Sequence, residues 1–172
     1  MTHGHPVAQA GAAWMAATIA YLRQGQPLSS AGRMAAQHLL PNAATEAIRH
    51  VLGMAQVMLK NPKHAHLADF WPLMSQRTTP AVLLAAYYHA QRYADQPEMA
   101  LREAARRGGR QAAALTGALL GTELGEEAWP AGWRAALDLG RVVVDVADDL
   151  HTGVKGSMFS PDENWWKRYP GW

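Results

Sequence analysis

The sequence predicts an all-α protein, on three observations. Apolar residues recur at helical spacing through most of the chain, and most periodic runs open or close at Pro, Gly, Asn or Ser. The one β-branched run, Val142 to Val144, has no second strand-like segment to pair with, so it reads as helix. With 172 residues, 49% hydrophobic and 17% charged, the chain is long enough to bury a core and too apolar to stay unfolded. One α-helical domain over residues 1–156 is expected, with an aromatic tail, 157–172, packed on it because exposed indoles are costly.

The elements follow in order. Pro6 suits a first helical turn, and Val7, Trp14, Met15, Ile19 and Leu22 carry a helix to Arg23, stopped at Gly25 to Pro27. Ser29 is the expected cap of a second helix reaching Leu40, and Asn42 that of a third with Ala47, Ile48, Val51, Met54, Ala55 and Met58 on one face. Residues 61–79 hold two prolines and no clean period, and read as a loop or irregular crossing. Thr79 should cap the next helix with Pro80 at its first position, and Asp95 with Glu98 has capping-box spacing for one that ends at Arg106 or Arg107. Gln111 to Leu124 is apolar on nearly every side, which predicts a helix buried among others at the centre of the fold; Gly117 and Gly121, four apart, should let another helix approach closely. Pro130 opens a further segment that continues as helix to Leu150.

Composition bounds the chemistry. Without cysteine there is neither disulfide nor thiolate metal site, so a metal would need His, Asp or Glu. No basic-then-apolar leader and no run of ~18 apolar residues occurs, and a cytoplasmic protein with no membrane association is expected. A net charge of +2, with both signs interspersed, gives no reason to expect nucleic acid as a partner.

The candidate site is the stretch "RRGGR". Arg106, Arg107 and Arg110 surround Gly108 and Gly109 at the start of the apolar helix, where free N–H groups and the helix dipole favour an anion. The alternative is that these arginines are solvated or pair with Glu103, Glu123, Glu126 or Glu127. His3 with His5, and His64 with His66, form His-x-His pairs that each lack an obvious third metal ligand and read as surface or capping histidines. Asp145, Asp148 and Asp149 share a helix and read as a solvated face rather than a cation site. The tryptophans Trp14, Trp71, Trp129 and Trp133 read as core or interface.

"ALTGALLGTELGEEAWPAGWRAAL" followed by "VADDL" resembles the C-terminal part of the ADP-ribosylglycohydrolase family, with agreement also at "THGHPVAQAGAAWMAATIAYL", "LLAAYYHAQ" and "WWKRYPGW". The resemblance implies a compact orthogonal helical bundle like the C-terminal half of that fold, and magnesium-dependent removal of ADP-ribose. The family's Gly-Asp-x-Asp-Ser/Thr metal motif, aligned on Gly117, puts its two aspartates on Gly108 and Arg110, which offer magnesium no carboxylate. The chain also starts at an element that lies mid-way along a complete family member, without the half that supplies the other ligands. No cofactor is therefore expected, and no catalytic residue is assigned.

Three functional readings follow. One is a repurposed family member that binds an ADP-ribose-like or other small ligand, or performs metal-independent chemistry, in the remnant cleft. A second is half of a split hydrolase completed by another chain. The third is a structural or regulatory protein. Under each, helix faces left bare predict a homo-oligomer or a covering protein chain.

Overall fold

The computed structural model describes residues 4–61 and 67–155. They form α1 (Pro6–Arg23), α2 (Leu28–His38), α3 (Ala43–Lys60), α4 (Leu67–Met74), α5 (Thr79–Arg92), α6 (Pro97–Leu124), a 3₁₀ turn (Glu126–Ala128), α7 (Ala131–Ala135) and α8 (Gly140–Lys155). The fold is all-α. Residues 1–129 and 130–172 are separate compact units, and the core described below belongs to the first.

The helix ends show where local chemistry prevailed and where packing did. α1 matches its expected limits, and His5 caps it, with Nδ1 accepting from the Val7 N–H at 3.3 Å. α3 is capped by Asn42, which accepts from the Thr45 N–H while the Thr45 hydroxyl accepts from the Asn42 N–H, each at 2.9 Å. Three expected caps are corrected. α2 begins two residues earlier than a Ser29 cap allows, because its first N–H, that of Leu28, donates to the Glu123 carboxylate of α6 at 2.8 Å, a tertiary cap. Thr78 rather than Thr79 precedes α5; the Thr79 methyl instead fills the space beside Gly11, where a Cβ would meet it at 2.7 Å. Pro97 takes the first position of α6, so Gln96 becomes the cap residue and the Asp95–Glu98 box is out of register; Glu98 instead accepts from Arg102 Nη2 at 2.6 Å.

Residues 67–74, expected to be irregular, are helix despite the internal Pro72. Eight residues are too short for a period to show through a proline, but Met74 is fully buried and Phe70 and Trp71 pack on the core.

The centre of the fold is α5, not the 111–124 stretch. Every residue from Ala81 to Ala90 is buried, because α1, α3, α4 and α6 all pack on this helix. Trp14 of α1 is fully buried, donates through Nε1 to the Gly32 carbonyl at 2.9 Å and meets the Tyr87 ring edge-on at 5.3 Å. Burial pushes the Tyr87 phenol up to about 12.

α6 is two helices in one. Gly109 sits at φ 78° and ψ −175°, outside helical geometry, and breaks the element. A Cβ at Gly117 would lie 3.4 Å from the Leu101 side chain. Sixteen residues of straight helix span about 24 Å, so the two arms must fold sharply back on each other at the break. In the second arm only Ala112, Thr116, Leu119 and Leu120 are buried, which corrects the expectation of burial on all sides. Alanine and glycine raise the apolarity of a helix without requiring that it be enclosed. Gly117 faces the Leu101 side chain of the folded-back first arm, an approach of another helix as expected, whereas Gly121 faces the Trp129 indole, outside any helix. A closer helix approach is at Gly108, where a Cβ would come within 2.6 Å of Ala85 Cβ on α5.

In the second unit, Val142 to Val144 are helical in α8, as expected from the lack of a partner strand. The tail 157–172 lies outside the described residues.

Candidate anion site at the break in α6

The sequence "RRGGR" suggests a loop, and the structure compresses it to one residue. Gly109 alone leaves helical geometry, and the helix resumes at once. This divides the five candidate residues into two groups.

Arg106 and Arg107 turn back along the first arm. Arg106 grips Glu103 with two hydrogen bonds, Nε to Oε1 at 3.0 Å and Nη2 to Oε2 at 2.7 Å. That contact holds the Glu103 carboxyl below the usual carboxylate range. Arg107 Nε stands 3.7 Å from the same carboxylate, within ion-pair range but too far for a hydrogen bond. Its guanidinium lies over the Trp71 ring at 4.0 Å from the centroid. Both charges are thus engaged, and only Glu103 of the four expected acidic partners is shown to pair with them.

Gly108, Gly109 and Arg110 line a cavity of about 210 Å³ together with Gln111, Arg77 and Val82. Arg77 was not singled out by sequence; it stands just ahead of α5, in a segment whose position relative to the break only the fold supplies. The start of the second α6 arm meets this cavity; on the α5 side its lining is Arg77, ahead of the helix, and Val82, whose N–H already donates to the Thr78 carbonyl at 3.0 Å. Thr78, at the cap position of α5, makes no side-chain capping bond, and Gly109 has no side chain with which to make one. The first N–H groups of a helix have no intrahelical acceptors. Neither Arg77 nor Arg110 has an ion pair or hydrogen bond among the described residues, and both side chains are exposed. The cavity is therefore bordered by two free cations, with no carboxylate among its lining residues.

That donor set suits an anion. Magnesium takes hard oxygen ligands, most often carboxylates, and glycine and arginine side chains provide none. The residues at this break do not fit the ion that the family resemblance implies. Among the described residues, no group of three or more His, Asp or Glu side chains is placed to hold a metal.

The remaining candidates are dispersed. His5 is the α1 cap, and His3, His64 and His66 lie outside the described residues. Asp145, Asp148 and Asp149 are on α8, the first two exposed. Glu123 serves the start of α2. Trp14 is core, Trp71 and Trp129 are half-buried against it, and Trp133 is exposed.

No helix among the described residues is long and apolar enough to cross a membrane. No curated protein and no solved structure matches the chain. The family model described as ADP-ribosylglycohydrolase matches residues 1–158. The chain accordingly belongs to the ADP-ribosylglycohydrolase family.

Proposed function

We propose that this family member binds an ADP-ribose-like ligand at the break in α6 without the family's magnesium ions. The diphosphate is held by Arg77, Arg110 and the backbone N–H groups at the start of the second α6 arm. The observation that carries this reading is the 210 Å³ cavity whose lining pairs two unengaged arginines with Gly108 and Gly109 and holds no carboxylate. Its size suits the diphosphate, leaving the nucleoside outside it. The reading makes the chain a repurposed binding member of a hydrolase family, located in the cytoplasm.

Calorimetry with ADP-ribose, with and without magnesium, tests it. Binding is expected at similar affinity in both conditions, and Arg110→Ala or Arg77→Ala should weaken it about tenfold, the equivalent of one charged hydrogen-bonded contact. Absence of heat in both conditions, or an affinity that collapses when magnesium is chelated, removes the proposal.

A second reading, self-association, is favoured by the exposed apolar side chains of the 130–172 unit, among them Leu137, Leu139, Val142, Val143 and Leu150. Light scattering should then give a mass above the 18.7 kDa of one chain. A monomer would dismiss it.

A further inference from the structure

A second, larger cavity is lined by other residues of the same unit. It measures about 380 Å³, between α2, α3 and α5, and its lining includes Gly32, Arg33, Arg49, Gly53, Gln56, Lys60 and the Tyr87 hydroxyl end. Three cations and no carboxylate line it.

These cations differ in what they are already doing. Arg49 is committed: Nε donates to the Ala36 carbonyl at 3.2 Å, Nη2 to that of Leu39, and Nη1 pairs with Glu46. It ties α3 to the end of α2. Arg33 has only a marginal contact with the Ser30 hydroxyl at 3.5 Å, and Lys60 has no ion pair or hydrogen bond among the described residues. Two charges are thus left for a ligand. At the floor, Gln56 Nε2 donates to Tyr87 Oη at 3.4 Å, and the hydroxyl donates to the Ser29 carbonyl at 3.5 Å; both bonds are long.

Gly53 supplies an independent observation. It stands in the interior of α3, where glycine is a poor helix residue, and nothing lies within 4 Å of where its Cβ would be. Gly11, Gly32 and Gly108 each answer a close neighbour in this chain, but Gly53 answers none. Arg49, Gly53, Gln56 and Lys60 follow one another at i, i+4, i+7 and i+11, so the bare position falls within a polar stripe of one helix face. A side chain there would enter the cavity and shorten it.

We propose that this cavity binds a phosphomonoester carrying a compact aromatic group, with the phosphate between Arg33 and Lys60 and the ring over the bare backbone at Gly53. A doubly charged oxyanion matches two free cations. The 380 Å³ volume exceeds what a phosphate alone would fill, and Gly32, Ala36 and Leu52 give the remainder an apolar wall. The site is separate from the cavity at the α6 break and does not depend on it.

The probe is phenyl phosphate, titrated by calorimetry against the full chain, with phenol and inorganic phosphate as controls. Phenyl phosphate should bind at least about tenfold more tightly than either control, and Arg33→Ala or Lys60→Ala should each weaken it about tenfold. Gly53→Met should abolish binding while leaving the unfolding temperature equal or higher, since methionine is the better helix former. Arg110→Ala should leave the affinity unchanged. No heat from phenyl phosphate, or affinity equal to that of inorganic phosphate, overturns the proposal. So does wild-type affinity in folded Gly53→Met, or loss of binding in Arg110→Ala. If Gly53→Met does not fold, the exposed double variant Arg33→Glu, Lys60→Glu replaces it, and unchanged affinity there is equally fatal.

Discussion

α5 and the second arm of α6 are of similar length and similarly apolar, yet they are used differently. α5 is enclosed along ten consecutive residues, Ala81 to Ala90, and these include His89 and two tyrosines. The arm at 110–124 buries Ala112, Thr116, Leu119 and Leu120 and leaves Ala114 and Ala118 exposed. Position in the helix packing decides burial, and apolarity only permits it. Small side chains make α5 a helix that others can crowd from several sides; in the arm the same small residues cover a surface at little cost.

The largest effect should come at Gly108, just before the break, which sits against both α5 and the second arm. A Cβ at Gly108 would stand 2.6 Å from both Ala85 Cβ and Ala112 Cβ, methyl groups fixed to helix backbones that cannot swing away. Gly108→Leu should cost about 3 kcal/mol or more in urea unfolding, as overpacking between rigid elements does. Ala118→Leu, on the exposed side of the second arm, should stay within about 0.5 kcal/mol. Comparable losses at the two positions would break the comparison.

Truncations come next. Leu119 is fully buried and Leu124 is 41% exposed, both on the same arm. Leu119→Ala should lose about 2–5 kcal/mol, the usual cost of a buried leucine with its cavity, and Leu124→Ala less than about 1 kcal/mol. Equal losses would mean that the arm is enclosed after all.

Gly109 sharpens the contrast by isolating the backbone. Nothing lies within 4 Å of its missing Cβ, so a methyl there meets no neighbour and only the φ of 78° is strained. Gly109→Ala should cost about 1–3 kcal/mol. A neutral result would show that the arms can relax out of their fold-back.

Much of this was legible in the sequence, and the parts that were not share a cause. Pro6 and Asn42 mark helix starts because their signals act within a few residues, and "GG" at 108–109 marks the break for the same reason. The start of α2 was displaced by Glu123, 95 residues away, and α4 owes its helix to burial of Met74 rather than to its own period. At the candidate site, Gly108, Gly109 and Arg110 could be read directly, because the break is local. Arg77 could not, since it joins them only through the α5–α6 crossing, and no spacing in the sequence distinguishes Arg110, which is free, from Arg107, which lies over Trp71. The gap at Gly53 was hidden in the same way, as its meaning depends on what is missing around it in space.

The smallest expected effect is the pH response of α5, which the arm of α6 cannot share. The buried polar group of that arm is Thr116, whose hydroxyl donates to the Ala112 carbonyl at 2.8 Å and does not titrate. On α5, His89 is 1% exposed, with Nδ1 against the Ala85 carbonyl at 2.7 Å and its ring stacked between those of Trp71 and Tyr93. Burial lowers its pKa from the ordinary 6.5, an effect only partly offset by the Ala85 carbonyl and by Glu103. Below that ordinary value the unfolded chain takes up a proton that the folded protein refuses, so acidification favours unfolding. The contribution of His89 is fully present above pH 6.5 and declines as pH falls below it. Thermal unfolding at pH 7.5 and pH 5 should therefore show a loss on the acid side that is smaller in His89→Gln, which retains a hydrogen-bond donor but cannot ionise. An undiminished acid loss in that variant would place the sensitivity elsewhere, with Glu103, whose depressed carboxyl also loses its stabilising contact as pH falls but at a lower range, the next group to replace.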